Sequence, residues 1–202
     1  MSSVSLARSR TGGPRRERRA PVPGAAGLGM RFFLLSLAVL FVASLVAVVV
    51  VRMRAAEWPP SGAPAVPRLL WLSTLLILSC SVTIHAAVSA IRAGSRDRLL
   101  HWLGGTAVLG LLFLASQTRA WLSFYDPQRF GDDLYGFTFL MLTGLHAAHV
   151  LGGLVALGVG FVLAWRGAFS WAHHDGVRNI ALYWHFLDGV WLVLFAFLLA
   201  GF

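Results

Sequence analysis

The chain has 202 residues, of which 57% are hydrophobic and only 12% charged, and its mean hydropathy is +0.72. That balance excludes a soluble domain of ordinary composition and points to a protein seated in a lipid bilayer. The 17 basic residues are all arginine and outnumber 8 acidic ones for a net charge of +9, yet they lie between apolar runs instead of on one folded face, which argues against a nucleic-acid surface.

From the N-terminus, residues 1–31 hold Gly, Pro, Ser and the run RRERR with no apolar periodicity, the composition of a disordered, arginine-rich cytoplasmic tail. The apolar run behind it is longer than a signal-peptide core, so an uncleaved membrane helix is expected. A span needs about twenty mostly apolar residues to cross roughly 30 Å of hydrocarbon. Five segments qualify, at 32–51, 69–91, 99–121, 134–165 and 180–202, so residues 32–202 are expected to form one all-α, five-helix membrane domain. The connectors EWPPSGAPAVP, AGSRDR, DPQRFGDD and GAFSWAHHDGVR carry turn and breaker residues.

An inner N-terminus leaves twelve arginines inside and five outside, which predicts a cytoplasmic N-terminus and a periplasmic C-terminus. Asp126, Asp132 and Asp133 then fall on the outer side. No internal repeat supports an inverted-repeat transporter. The lone cysteine, Cys80, lies inside an apolar run, where it reads as a packing residue, and leaves no intrachain disulfide or CxxC site.

Polar groups inside the spans carry the functional question, because an aspartate at mid-bilayer costs about 2.5–3.5 kcal/mol to insert. They are His85, His101, Gln117, His146, His149, His185 and Asp188. His146 and His149 are spaced i, i+3 on one helical face, which allows a shared metal ligand. The scarcity of intramembrane carboxylates favours instead histidines held by interhelical hydrogen bonds. The same helix repeats small residues at every fourth position, Gly144, Ala148, Gly152, Ala156 and Gly160, a ridge that lets another helix approach closely. In the last span Trp184, His185, Asp188, Trp191 and Phe195 share one side. Asp188 there needs a partner: His185 is the nearest candidate, with the indole N–H groups of Trp184 and Trp191 completing the set. A proton-relay carboxylate is the alternative, and it requires a chain of titratable groups.

Two motifs, LYGFTFLMLTGLHAAHVLGG and YWHFLDGVWLVLF, resemble the last two helices of subunit III of the haem-copper terminal oxidases, the cytochrome c oxidase subunit 3 family. The matching residues are Tyr135, Gly136, Phe139, Thr143, Gly144, His146, His149, Val150 and Gly153, then Tyr183, Trp184, His185, Phe186, Asp188 and Trp191. His173 and His174 match a family histidine pair, and SCSVTIH (79–85) and QTRAW (117–121) extend the likeness upstream. Two positions depart from the family pattern, in which glutamates stand where this chain has Ala120 and Arg178.

The resemblance implies the short five-helix bacterial form, which lacks the first two helices of the seven-helix version, in the bacterial cytoplasmic membrane. It implies a non-catalytic accessory subunit that packs on oxidase subunit I beside other oxidase subunits, holds phospholipid, and binds no haem, copper or other metal itself; haem and copper are expected in the partners. It makes Gly144, His146, His149, Gly152, Tyr183, Trp184, His185, Asp188 and Trp191 packing residues, and it offers Arg119, Arg178, His173 and His174 for lipid headgroups, with no role for nucleic acid. The competing readings are an accessory subunit of a quinol oxidase or nitric oxide reductase, an independent metalloenzyme built on His85, His146, His149 and Asp188, and a transporter.

Overall fold

The computed structural model describes residues 25–63, 65–124, 134–171 and 173–201, and its regular elements are all helices: α1 (Ala25–Arg54), α2 (Leu69–Arg92), α3 (Arg96–Phe124), α4 (Leu134–Trp165) and α5 (Asp175–Leu199). Each is long and apolar enough to cross a membrane. The helices outrun the apolar runs that announce them: α1 begins at 25 instead of 32, α3 at 96 instead of 99, and α5 at 175 instead of 180. Hydropathy marks only the stretch inside hydrocarbon, whereas the hydrogen-bond ladder continues through interfacial Arg, Asp and Gly. At its other end α5 stops at Leu199, short of 202, where Gly201 takes φ 75°. Most of the arginine-rich segment and Asp126, Asp132 and Asp133 lie outside the described residues.

Helices α2 and α3 form an antiparallel hairpin turned by Gly94 at φ 71°, a left-handed conformation that costs glycine little. Two hydroxyl pairs fix their register, Ser73 with Ser116 and Thr83 with Thr106, each at 2.8 Å. The pairs are ten residues apart on both helices and run in opposite directions, as antiparallel alignment requires. From there α3 packs on α4, α4 on α5 and α5 back on α2, closing a four-helix ring. Phe113, Phe139, Leu142, Leu157, Trp184, Leu187 and Trp191 fill its interior.

Helix α1 lies outside the ring, against α5 and α4. It buries a narrow stripe, Leu34, Leu37, Phe41 and Val48, and exposes Phe32, Leu35, Val39, Val42, Val46 and Met53. In water such a surface would collapse; in a bilayer it faces lipid tails or another protein.

Two polar contacts tie the ends of the bundle. Arg96 Nε donates to the Ala164 carbonyl at 3.0 Å, capping the last turn of α4 with a cation. At the opposite end Trp58 Nε1, in the α1–α2 connector, donates to the Gly201 carbonyl at 3.2 Å.

Candidate functional site

The intramembrane aspartate sits on the inner seam between α5 and α2. Asp188 is 3% exposed, and its partner is a residue that the sequence pattern did not single out. Ser81, on α2, donates through Oγ to Asp188 Oδ2, and the same Oγ lies 2.7 Å from His185 Nδ1. His185 and Asp188 are therefore joined through Ser81, because successive turns of α5 point one side chain outward and the other inward. His185 is exposed, with its ring centre 6.5 Å from that of His85. Asp188 Oδ1 is buried without a hydrogen-bond partner among the described residues. The available signal for Ser81 was its place one turn from His85 in SCSVTIH, on the same face of α2.

The tryptophans do not complete the aspartate's shell. Trp191 Nε1 donates to Thr74 Oγ1 at 3.0 Å, while Trp184 Nε1 is buried with no partner among the described residues. Tyr183 reaches α4 instead, its hydroxyl donating to the His149 carbonyl at 2.9 Å.

The two α4 histidines part company. His149 closes on its own helix through Nδ1, 2.7 Å from the Leu145 carbonyl. His146 is fully buried among aromatic rings, at centroid distances of 5.2 Å from Trp191, 5.7 Å from Phe113 and 6.2 Å from Phe41, and neither ring nitrogen has a partner among the described residues. The expectation that interhelical hydrogen bonds satisfy both histidines fails on this geometry: the rings around His146 offer faces and edges, not acceptors. His146 in the aromatic core and His85 on the exposed α2–α5 seam also divide the residues of the metalloenzyme reading between two places. Among the described residues no three His, Cys, Asp or Glu side chains converge as a metal would need.

The small-residue ridge of α4 divides: Gly160 is buried against α5, Gly144 and Ala156 are half-buried, and Ala148 and Gly152 are exposed. A Cβ on Gly144 meets nothing within 4 Å. Close approach falls one position around the helix, where a Cβ on Gly153 would stand 3.0 Å from Tyr183 Cε1, and further along at Gly160, 2.5 Å from Ile180 Cδ1. The bundle interior takes the line Val150, Gly153, Leu157 and Gly160, so the ridge joins the interior at Gly160 while Ala148 and Gly152 turn outward.

Arg119, Arg178 and His173 are exposed and His174 is half-buried, and they do not form one site. Arg119 lies toward the C-terminal end of α3, whereas His173, His174 and Arg178 surround the start of α5 at the opposite end of the bundle. Ala120 is fully buried, so a glutamate there would point into packed helices. A separate apolar groove of about 300 Å³ runs between α1 and α5, with Phe41, Leu45, Phe186, Val190, Val193 and Leu194 among its lining residues.

A family model described as cytochrome c oxidase subunit III matches residues 17–200 of the chain. A protein of Synechocystis named cytochrome c oxidase subunit 3 is 33% identical over 86% of this chain and 74% of its own length. Proteins of the same name from Pisaster ochraceus and Paracentrotus lividus are 39% and 41% identical over 69% and 68% of this chain. The match spans 54% and 53% of those two proteins, about half of each.

Proposed function

The chain belongs to the cytochrome c oxidase subunit III family, so it is a multi-pass membrane subunit of an oxidase complex, and from that premise we propose that its role there is accessory. In this reading it packs on the catalytic subunit I, holds phospholipid, and leaves oxygen reduction and the coupled proton pumping to haem and copper in its partners. Its place is the bacterial cytoplasmic membrane, with the N-terminus inside.

The observation that carries the reading is where the polar side chains of the spans are engaged. Ser73 with Ser116, Thr83 with Thr106, Ser81 with Asp188, Trp191 with Thr74, Trp121 with Thr143 and Tyr183 with His149 each bind one helix to another. Groups used in this way hold helix to helix in fixed register. Two outward features supply the partner contacts. The α4 strip at Gly144, Ala148 and Gly152 admits a helix of the catalytic subunit at short range, and the α1–α5 groove fits acyl chain. Arg119 at one end and Arg178 with His173 and His174 at the other face the two headgroup layers.

The deciding experiment is purification of the native complex through an affinity tag on this chain. A haem-bearing catalytic subunit should accompany it, the separated chain should show no haem absorption, and a strain without it should retain oxygen reduction while losing turnover stability. Haem in the separated chain, or complete loss of oxygen reduction by an assembled complex lacking it, overturns the accessory role.

A further inference from the structure

We propose that Ser81, His185 and Asp188 form a one-proton storage site, in which the protonation of Asp188 and the tautomer of His185 change together through the single hydroxyl hydrogen of Ser81.

Ser81 Oγ is within hydrogen-bond reach of both Asp188 Oδ2 and His185 Nδ1, and a serine hydroxyl has one hydrogen to give and lone pairs to accept with. When Asp188 is a carboxylate it can only accept, so the Ser81 hydrogen points to it. Ser81 must then accept from His185, which places the imidazole hydrogen on Nδ1 and leaves Nε2 bare. When Asp188 is a neutral carboxyl it donates to Ser81, Ser81 donates to a bare Nδ1, and the imidazole hydrogen sits on Nε2.

Passage from the first state to the second takes up one proton and moves no electrons. A proton binds Nε2; the N–H bond at Nδ1 breaks as that proton joins Ser81 Oγ; the original Ser81 hydrogen leaves to form the O–H bond of Asp188. The cluster goes from a charge of −1 to neutral. His185 lies on the outer surface of the bundle beside His85, and Asp188 is almost wholly buried, so the imidazole is the port, reached along α2, and the carboxyl the store. Oδ1 of Asp188, without a partner among the described residues, gives the store a reason to fill, because a buried carboxylate oxygen without a donor costs more than the carbonyl oxygen of the neutral acid. Beyond the port, His85 and Ser89 continue the exposed face of α2 at successive turns toward its end at Arg92. The titratable groups beside the cluster are His85 and Cys80, both on α2; Cys80 Sγ lies 3.9 Å from the Thr106 carbonyl and takes no part in the chain of bonds.

The test is a pH titration of the full chain in liposomes, with nitrogen-15 histidine followed by solid-state NMR and the carboxyl C=O stretch by infrared spectroscopy. His185→Gln and Asp188→Asn variants identify the two signals by their loss. As pH falls, His185 should pass from the Nδ1–H to the Nε2–H form at the same midpoint at which the Asp188 carboxyl band grows. Ser81→Ala should separate the two midpoints, and Ser81→Thr, which keeps the hydroxyl, should hold them together. An Asp188 band that never titrates, a His185 tautomer that stays fixed while the carboxyl titrates, or coupling that survives Ser81→Ala each overturns the proposal. If Ser81→Ala fails to accumulate, the wild-type correlation alone decides.

Discussion

Trp191 Nε1 and Thr74 Oγ1 lie 3.0 Å apart and join the fully buried indole of α5 to α2 across the bundle. Thr74 also turns its own hydroxyl hydrogen back to the Leu70 carbonyl at 2.8 Å, so one oxygen both donates along α2 and accepts from α5. Thr74→Val keeps the volume and removes the acceptor, stranding the indole N–H. The expected loss is about 0.6 kcal/mol, the average measured for such pairs in membranes. Reversible unfolding in mixed micelles should show it, and Thr74→Ser should not.

His146 gives a prediction of opposite sign. Both ring nitrogens are buried without partners among the described residues, while the faces of Phe41, Phe113 and Trp191 surround the ring. Replacing a buried polar group that makes no bond by an apolar one of similar shape is neutral or stabilising. His146→Phe should therefore keep or raise the unfolding temperature of the purified chain. A clear destabilisation, with His146→Gln better tolerated, would show that the imidazole holds a hydrogen bond this geometry lacks.

How legible the molecule was in its sequence differs by level. The five helices followed from run length because a bilayer imposes one requirement, an unbroken ladder long enough to cross, and hydropathy reports it directly. Asp188 stood out for the same reason, as a charge that lipid does not tolerate. Its partner did not, since Ser81 is an ordinary residue in an apolar helix and only the α2–α5 packing brings it there. The glycine ridge announced a close helix contact without saying how its members divide: Gly160 meets α5, and Gly153 comes closer to Tyr183 than its neighbour Gly152, a split set by a helix rotation that spacing within α4 cannot report.

The orientation expected from the arginines can be read with single cysteines. Cys80 is the only natural one and is fully buried, so it contributes little background. Ser61 lies in the α1–α2 connector and Ser170 in the α4–α5 connector, at opposite ends of the bundle, and both are exposed. In intact cells Ser61→Cys should react with a membrane-impermeant maleimide, and Ser170→Cys should react only after lysis. The reverse pattern inverts the topology.

The glycines of the bundle should rank by what a methyl would strike, not by their place in the repeat. On Gly110 of α3 a Cβ would stand 2.9 Å from Trp184 Cη2 and 3.1 Å from Leu154 Cδ2. The indole is fully buried and cannot swing aside, so Gly110→Ala should cost about 1–3 kcal/mol, the usual range for overpacking. Gly160→Ala meets Ile180 Cδ1 at the shorter distance of 2.5 Å, but that atom is the end of a flexible side chain and a rotamer change relieves it, so the cost should be smaller. Gly144→Ala meets nothing within 4 Å and should gain up to about 1 kcal/mol from helix propensity alone. The same outward strip is the proposed contact for the catalytic subunit, which separates two measurements on one helix. Ala148→Leu should leave the unfolding of the isolated chain nearly unchanged, since Ala148 is exposed there, and should reduce the catalytic subunit recovered with it in mild detergent. Unchanged recovery would move the partner surface elsewhere, with the apolar face of α1 the next to test.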